Sequence, residues 1–212
     1  MPGLFVSFEG GEACGKSTQV ARLVGKLESQ GREVVATREP GSTRAGEAIR
    51  NLLLHSESGI TLTPEAELLL FGASRAQLVE EVIRPALNAG KIVIADRFSD
   101  STTVYQGIAR GLDLKFIRQL EQFVCSDLLP VVTFLLDLDL ETMRTRRLRR
   151  VRPANTKDRM EELPSPFHEK VREGYLQVAR ESPTRIKIID AARPADEVEA
   201  SVWKEINAIL GR

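Results

Sequence analysis

Three absences narrow the reading before any motif is considered. The 212-residue chain has no net charge, 30 basic residues balancing 30 acidic ones, so no overall field draws it to nucleic acid or to an anionic membrane. Any anion site must be local. No apolar run approaches the roughly 20 residues that span a bilayer, and the start Met1-Pro2-Gly3 lacks the basic, greasy and small-residue succession of a secretory signal. A soluble, cytoplasmic protein is expected, with neither membrane nor nucleic acid as partner. The two cysteines, Cys14 and Cys125, have no metal-ligand spacing and are too few for a disulfide framework in a chain this long. Free thiols, buried or half-buried, are the plainer expectation. There is no internal repeat or low-complexity linker, and 42% hydrophobic residues suffice for one sizeable core, so a single domain over 1–212 is expected.

What is present alternates between two periodicities. Leu4-Phe5-Val6-Ser7-Phe8-Glu9 is short, apolar and β-prone, and it stops at Gly10-Gly11. Val20, Leu23, Val24 and Leu27 then share one helical face, with Gly31 placed to cap its end. A second strand is predicted over Glu33 to Thr37. Thr63-Pro64-Glu65 is an N-cap signal for a long helix through Leu70, Leu78 and Val82, which Pro85 should kink or end before Gly90. Ile92 to Ala95, Val131 to Leu136 and Ile186 to Ile189 read as buried strands, each followed by a carboxylate: Asp96, Asp137 and Asp190. A last helix, beginning near Pro194, carries Val198, Val202, Ile206 and Leu210 on one side. Strands too apolar to have a wet face, alternating with helices, imply an α/β three-layer sandwich: a five-stranded parallel sheet covered by helices on both faces. Right-handed crossovers gather the strand C-terminal ends on one edge, where ligands of such sheets bind.

That edge begins with a phosphate cradle. Gly10-Gly11-Glu12-Ala13-Cys14-Gly15-Lys16-Ser17 matches G-x-x-x-x-G-K-[ST] in full and lies between a predicted strand and a predicted helix. Small residues let backbone N–H groups curl round a phosphate, and the helix start aims its positive end at the same anion. Residues Gly10 to Ser17, with Thr18, are therefore the candidate ATP-binding set, Lys16 reaching the β and γ phosphates and the Ser17 hydroxyl suited to Mg²⁺. Asp96 closes a buried strand in the position of a carboxylate that holds magnesium directly or through water, beside the Ser17 hydroxyl. A GTPase should carry D-x-x-G and N-K-x-D sequences, and neither occurs. An ATP-dependent switch protein acting on nucleic acid through the arginine-rich run 144–152 is a rival that the zero net charge disfavours.

A second set of residues suits a phosphorylated acceptor. Phe71 and Arg75 are four apart on the long helix, so a ring there can stack on a base while a guanidinium donates to its carbonyl; periodicity alone would make them a core Phe and a solvated Arg. Arg38 and Arg97 can grip a phosphate in bidentate fashion, and surface salt bridges are the alternative. Ser101 and Tyr105, also four apart, can line one side of a helix.

With these residues in hand, the chain resembles the thymidylate kinase family. The carriers are the P-loop with its internal Glu12, then Arg38-Glu39-Pro40-Gly41, Phe71-Gly72-Ala73-Ser74-Arg75, Asp96-Arg97-Phe98 with Ser101, Tyr105, Gln106 and Gly107, and Asp158-Arg159. Five such segments in order make a specific match. The resemblance implies ATP and Mg²⁺ as cofactors, dTMP as acceptor and a homodimer. By the same resemblance Phe71 and Arg75 are expected to hold the base, Tyr105 to lie under the sugar and Glu12 to accept from the acceptor's 3′-hydroxyl. Arg38, Ser101, Thr102 and Gln106 are also expected to bind the substrate; the side chain at Thr102 varies among relatives. It further implies a mobile lid at about 144–160, with Arg146 stacked on adenine and Arg150, Arg152 or Arg159 neutralising the moving phosphate beside Lys16 and Arg97. Ala13-Cys14 and Ser42 depart from the family pattern: the first replaces a smaller pair, and the second stands where glycine is common. A kinase for another nucleotide or a deoxynucleoside is the alternative within enzymes.

Overall fold

The computed structural model describes residues 3–54, 60–149 and 159–211. Among these, β1 (Leu4–Glu9), β2 (Val34–Arg38), β3 (Ile92–Asp96), β4 (Val132–Asp137) and β5 (Ile186–Asp190) form one parallel sheet in the order β2-β3-β1-β4-β5. The central strand β1 is buried along its whole length, Ser7 and Glu9 included, as a strand covered on both faces requires. Alternation still sorts its side chains. Leu4, Val6 and Phe8 join α1 (Lys16–Glu28) and α9 (Ala195–Leu210) in one core through Val20, Leu23, Leu27, Val198, Val202 and Ile206. Phe5 faces the opposite layer, with Phe98, Leu78 and Ile83. Ser7 and Glu9 fall on Phe5's face by the same period of two, and there Ser7 meets its register partner Thr133 through a 2.7 Å hydroxyl–hydroxyl bond.

The helical layer opposite α1 and α9 was only partly legible. The predicted long helix is α3 (Pro64–Leu78), and Thr63 caps it by accepting from Ala66 N–H at 3.3 Å. It does not run unbroken to Pro85. A π-helical stretch, Val79–Ile83, leads into the short α4 (Arg84–Asn88), because proline has no N–H to return to the carbonyl four residues back. Ser101 and Tyr105 likewise sit on a short helix, α5 (Ser99–Thr102), that passes into a second π-helical stretch, Thr103–Ala109. The sequence reading had no counterpart for α2 (Arg44–Leu54), α6 (Leu114–Cys125) or α8 (Ser165–Glu181). The arginine-rich run begins as α7 (Leu140–Arg149), and Arg150, Arg152 and Asp158 lie outside the described residues.

Leu27 is fully buried where α1 meets the sheet, whereas Leu148 on α7 is 88% exposed. Leu27→Ala is expected to lower unfolding free energy by about 2–5 kcal/mol in urea titrations, and Leu148→Ala by less than about 0.5 kcal/mol.

Candidate active site

The turn after β1 is built for close backbone approach. Gly10 has φ 138°, and a Cβ there would lie 2.5 Å from the Leu136 carbonyl oxygen, so the position admits only glycine. Gly15, at φ 95°, is the N-cap of α1. The Lys16 ammonium folds back over the loop, donating to Gly11 O at 2.7 Å and Gly10 O at 3.3 Å. Cys14 is buried, and its thiol donates to Gly11 O. This fixes the inner side of the loop and shields the thiol from solvent.

Ser17 donates its hydroxyl to Asp96 Oδ2 at 2.6 Å, so the first turn of α1 and the end of β3 place two hard oxygen ligands together at the loop's mouth. Among the described residues no group of three or more His, Cys, Asp or Glu side chains is arranged to hold a metal. The pair fits Mg²⁺, which keeps several waters and takes one or two protein oxygens plus substrate phosphates rather than a full protein cage.

One step further, Arg97 is the hub. Its φ of 73° is left-handed, rare for a bulky side chain, and it turns the guanidinium back toward the P-loop. Nη2 donates to Glu12 at 2.8 Å and to the Tyr105 hydroxyl at 3.2 Å, and Nη1 to Gly10 O at 2.9 Å, Tyr175 OH at 3.0 Å and Ser101 Oγ at 3.3 Å. Tyr105 also donates to Glu12 at 3.0 Å. Burial alone would push Glu12 upward, but Arg97, Lys16 and the Tyr105 hydroxyl outweigh it and bring its pKa down to about 2. The carboxylate expected to be unfavourable inside an anion-binding loop is thus compensated by the arginine beside it.

Where the base is expected, Phe71, Thr102 and Gln106 line the same cleft as the P-loop, a cavity of about 410 Å³ that also reaches Arg38, Glu39, Pro40, Asp96, Ser101, Tyr105 and Arg146. Arg75 is not among the lining residues. All five of its N–H donors have protein partners: Glu39 twice, Glu121, the Thr102 hydroxyl and the Phe98 carbonyl. The expected direct donation to a base carbonyl therefore meets a guanidinium that braces Thr102 from behind. Two carboxylates share this one cation, and burial with repulsion from Glu121 pushes Glu39 up to about 7 despite the opposing pull of Arg75.

The remaining expected residues divide. Arg38 lines the cleft with half of its side chain exposed, paired to Glu47 at 2.8 Å. Arg146 reaches from α7 to the Ala191 carbonyl at 2.8 Å and also lines the cleft. Arg159 does not line it: it donates to Glu67 at 2.8 Å and to Leu53 O at 3.2 Å. Ser42 has φ 65°, the left-handed conformation for which glycine is common at this position, and its hydroxyl accepts from Arg38 N–H at 2.8 Å. Sequence reasoning left Glu9, Glu67 and Tyr175 without a role. Glu39 sat inside a quoted motif and Glu9 closed a predicted strand, but Tyr175 lies on a helix that no motif marked.

A P-loop at the end of the central strand, a serine–aspartate oxygen pair and an arginine-lined cleft beside them define a P-loop phosphotransferase. Comparison with known proteins narrows the class: residues 8–202 match the Thymidylate kinase family. The chain is 47% identical over 201 residues to the thymidylate kinase of Syntrophotalea carbinolica, covering 94% of this chain and 93% of that protein. It is 44% identical over 205 residues to that of Deinococcus radiodurans, with 97% of each covered. The crystal structure of thymidylate kinase from Ehrlichia chaffeensis superposes with a TM-score of 0.76 at 34% identity, covering 97% of this chain and 99% of that one. The chain belongs to the thymidylate kinase family.

Glu12 sets a pH dependence of stability. Its folded pKa of about 2 lies below the ordinary 4.5, so its contribution is fully present above 4.5 and is lost as pH falls toward about 2. The stability difference between the protein and Glu12→Gln should therefore shrink across that window in denaturant titrations. A gap unchanged from pH 5 to pH 2 would count against the charge compensation.

Proposed function

We propose that the chain transfers the terminal phosphate of ATP to dTMP, giving ADP and dTDP for dTTP synthesis. The observation that carries this reading is that the P-loop and a second wall of Phe71, Thr102, Gln106, Tyr105, Arg38 and Arg97 open onto one cleft. Family membership supports the same acceptor, since the relatives are named for it.

In this reading the P-loop, from Gly10 to Ser17 with Thr18, wraps the phosphates of ATP, and Arg146 borders the adenine. Lys16 leaves the loop carbonyls to meet the β and γ oxygens, and Arg97 and Arg38 hold the acceptor phosphate. Ser17 and Asp96 would hold Mg²⁺, which would supply neutralisation of phosphate charge. The attacking oxygen of a nucleoside monophosphate is already ionised at neutral pH, so no strong general base is needed. Positioning and charge neutralisation carry the rate. Phe71 supplies a face for the base, Thr102 and Gln106 supply polar edges, and Tyr105 and Glu12 border the sugar. Arg75 acts through Thr102. The duty on the moving phosphate falls to Arg150, Arg152 or Arg159 within a 144–160 segment that closes over ATP, Arg159 leaving Glu67 as Lys16 leaves the loop carbonyls. The whole chain acts as one kinase domain and works in the cytoplasm.

Homodimerisation is part of the same proposal. Phe116 and Phe123, on one face of α6, and Leu69 on α3 are exposed apolar side chains, Phe123 at 82%. Charging that face with Phe123→Glu should convert dimer to monomer in sedimentation experiments. A wild-type protein that sediments as a monomer overturns the assignment.

Lys16→Ala should lower kcat by at least about 100-fold while leaving the melting temperature within a few degrees. A coupled assay against dTMP, dUMP, dCMP, dGMP and dAMP tests the acceptor. Preference for any but dTMP refutes it.

A further inference from the structure

Glu9 is the last residue of the central strand and is 1% exposed, yet no step of the proposed transfer uses it. Three donors converge on its carboxylate. Phe98 N–H reaches Oε1 at 2.7 Å, and the Ser101 and Tyr175 hydroxyls reach Oε2 at 2.6 Å and 2.8 Å. They come from the turn after β3, from α5 and from α8, so the group gathers segments that are distant in sequence.

The two hydroxyls have a second partner in common. Arg97 Nη1 lies 3.0 Å from Tyr175 OH and 3.3 Å from Ser101 Oγ. A guanidinium only donates, so a hydroxyl oxygen bonded to it accepts and turns its own hydrogen elsewhere; Nη1 shares its two hydrogens among these hydroxyls and Gly10 O. Glu9 Oε2 lies within reach of both, at 2.6 Å and 2.8 Å, and the two hydroxyls also lie 2.9 Å from each other, where either can donate, so Arg97, Ser101, Tyr175 and Glu9 form one closed relay. The backbone is held in the same way. Arg97 N–H donates to Phe8 O at 2.9 Å and the next N–H, on Phe98, donates to Glu9, so both amides flanking the left-handed Arg97 are tied to the end of β1. A residue in that conformation persists only where its surroundings over-determine it.

We infer that Glu9 is a positioning residue that holds the Arg97 guanidinium in register with the acceptor phosphate, acting through the Phe98 amide and the Ser101 and Tyr175 hydroxyls. The inference rests on the reading of Arg97 as the grip on the acceptor, and it separates acceptor handling from ATP binding. Glu9→Gln keeps the size and the Oε1 acceptor but can turn an NH₂ group toward two hydroxyls that already accept from Arg97. Their hydrogens then lose the carboxylate and keep only one another as acceptors, which loosens the hold on Arg97.

The test is a steady-state cycle on the full-length protein, with dTMP turnover and calorimetric binding of ATP with magnesium read in parallel. Glu9→Gln is expected to lower kcat/KM for dTMP by at least about tenfold while the Kd for ATP stays within about twofold. In an Arg97→Ala background the same substitution should cost less than about twofold, because its effect passes through the arginine. Equal losses for dTMP and ATP, or losses of Glu9→Gln and Arg97→Ala that multiply in full, overturn the inference. Tyr175→Phe deletes one relay hydroxyl while leaving the carboxylate, and it should give the same acceptor-selective loss even if Glu9→Gln does not fold. Unchanged dTMP kinetics in Tyr175→Phe would also count against the relay. Absence of dTMP turnover in the wild-type protein would instead overturn the proposed function, and the Glu9 inference with it.

Discussion

A buried cation with more carboxylate around it than it can neutralise organises the chemical end of this sheet, and it occurs twice. Arg97 answers Glu12 directly and Glu9 through two hydroxyls, while Arg75 answers both Glu39 and Glu121. Removing either cation would leave charge stranded in a region of low dielectric, which costs far more than an exposed pair returns. Such clusters add less to net stability than to uniqueness of arrangement. Each guanidinium has a fixed fork of donors, and each acceptor sits on a different element, so one geometry satisfies them all. The loop, the end of β3, α5 and α8 are located relative to one another by these bonds as much as by the apolar layers beneath.

The two clusters meet different ends of the same cleft. Arg97 borders the phosphate end through Gly10 and Glu12, and Arg75 backs the base end through Thr102. Thr102 and Phe98 tie them together along five residues of chain that start at the end of β3. A shift of that segment would move both walls at once, which suits a site that must hold a base and a phosphate at a fixed separation.

The legible parts of the chain were those with local signals. The five strands announced themselves as short apolar runs, the P-loop by its spacing, and the start of α3 by Thr63-Pro64, each within a residue or two of its observed position, while the end of α3 fell short of Pro85. Phe71 and Asp96 both line the cleft. What escaped was non-local. Tyr175 is 166 residues from Glu9, and no spacing rule links a helix near the C-terminus to the end of the first strand. The burial of Arg75 escaped for the same reason: Glu39 and Glu121 are supplied from 36 and 46 residues away. The π-helical stretches escaped because hydrophobic periodicity cannot separate a bond to residue i−4 from one to i−5 over a single turn.

The strand order leaves β2 and β5 as the borders of the sheet. Each is five residues long and ends on a charged side chain, Arg38 or Asp190, and β5 carries Lys187 at its second position. Short, charged rims are poor templates for another chain to zip onto. The continuous greasy strand that delivers the phosphate loop can therefore stay at the middle of the sheet, shielded from the edge-to-edge association that so hydrophobic a segment would otherwise invite.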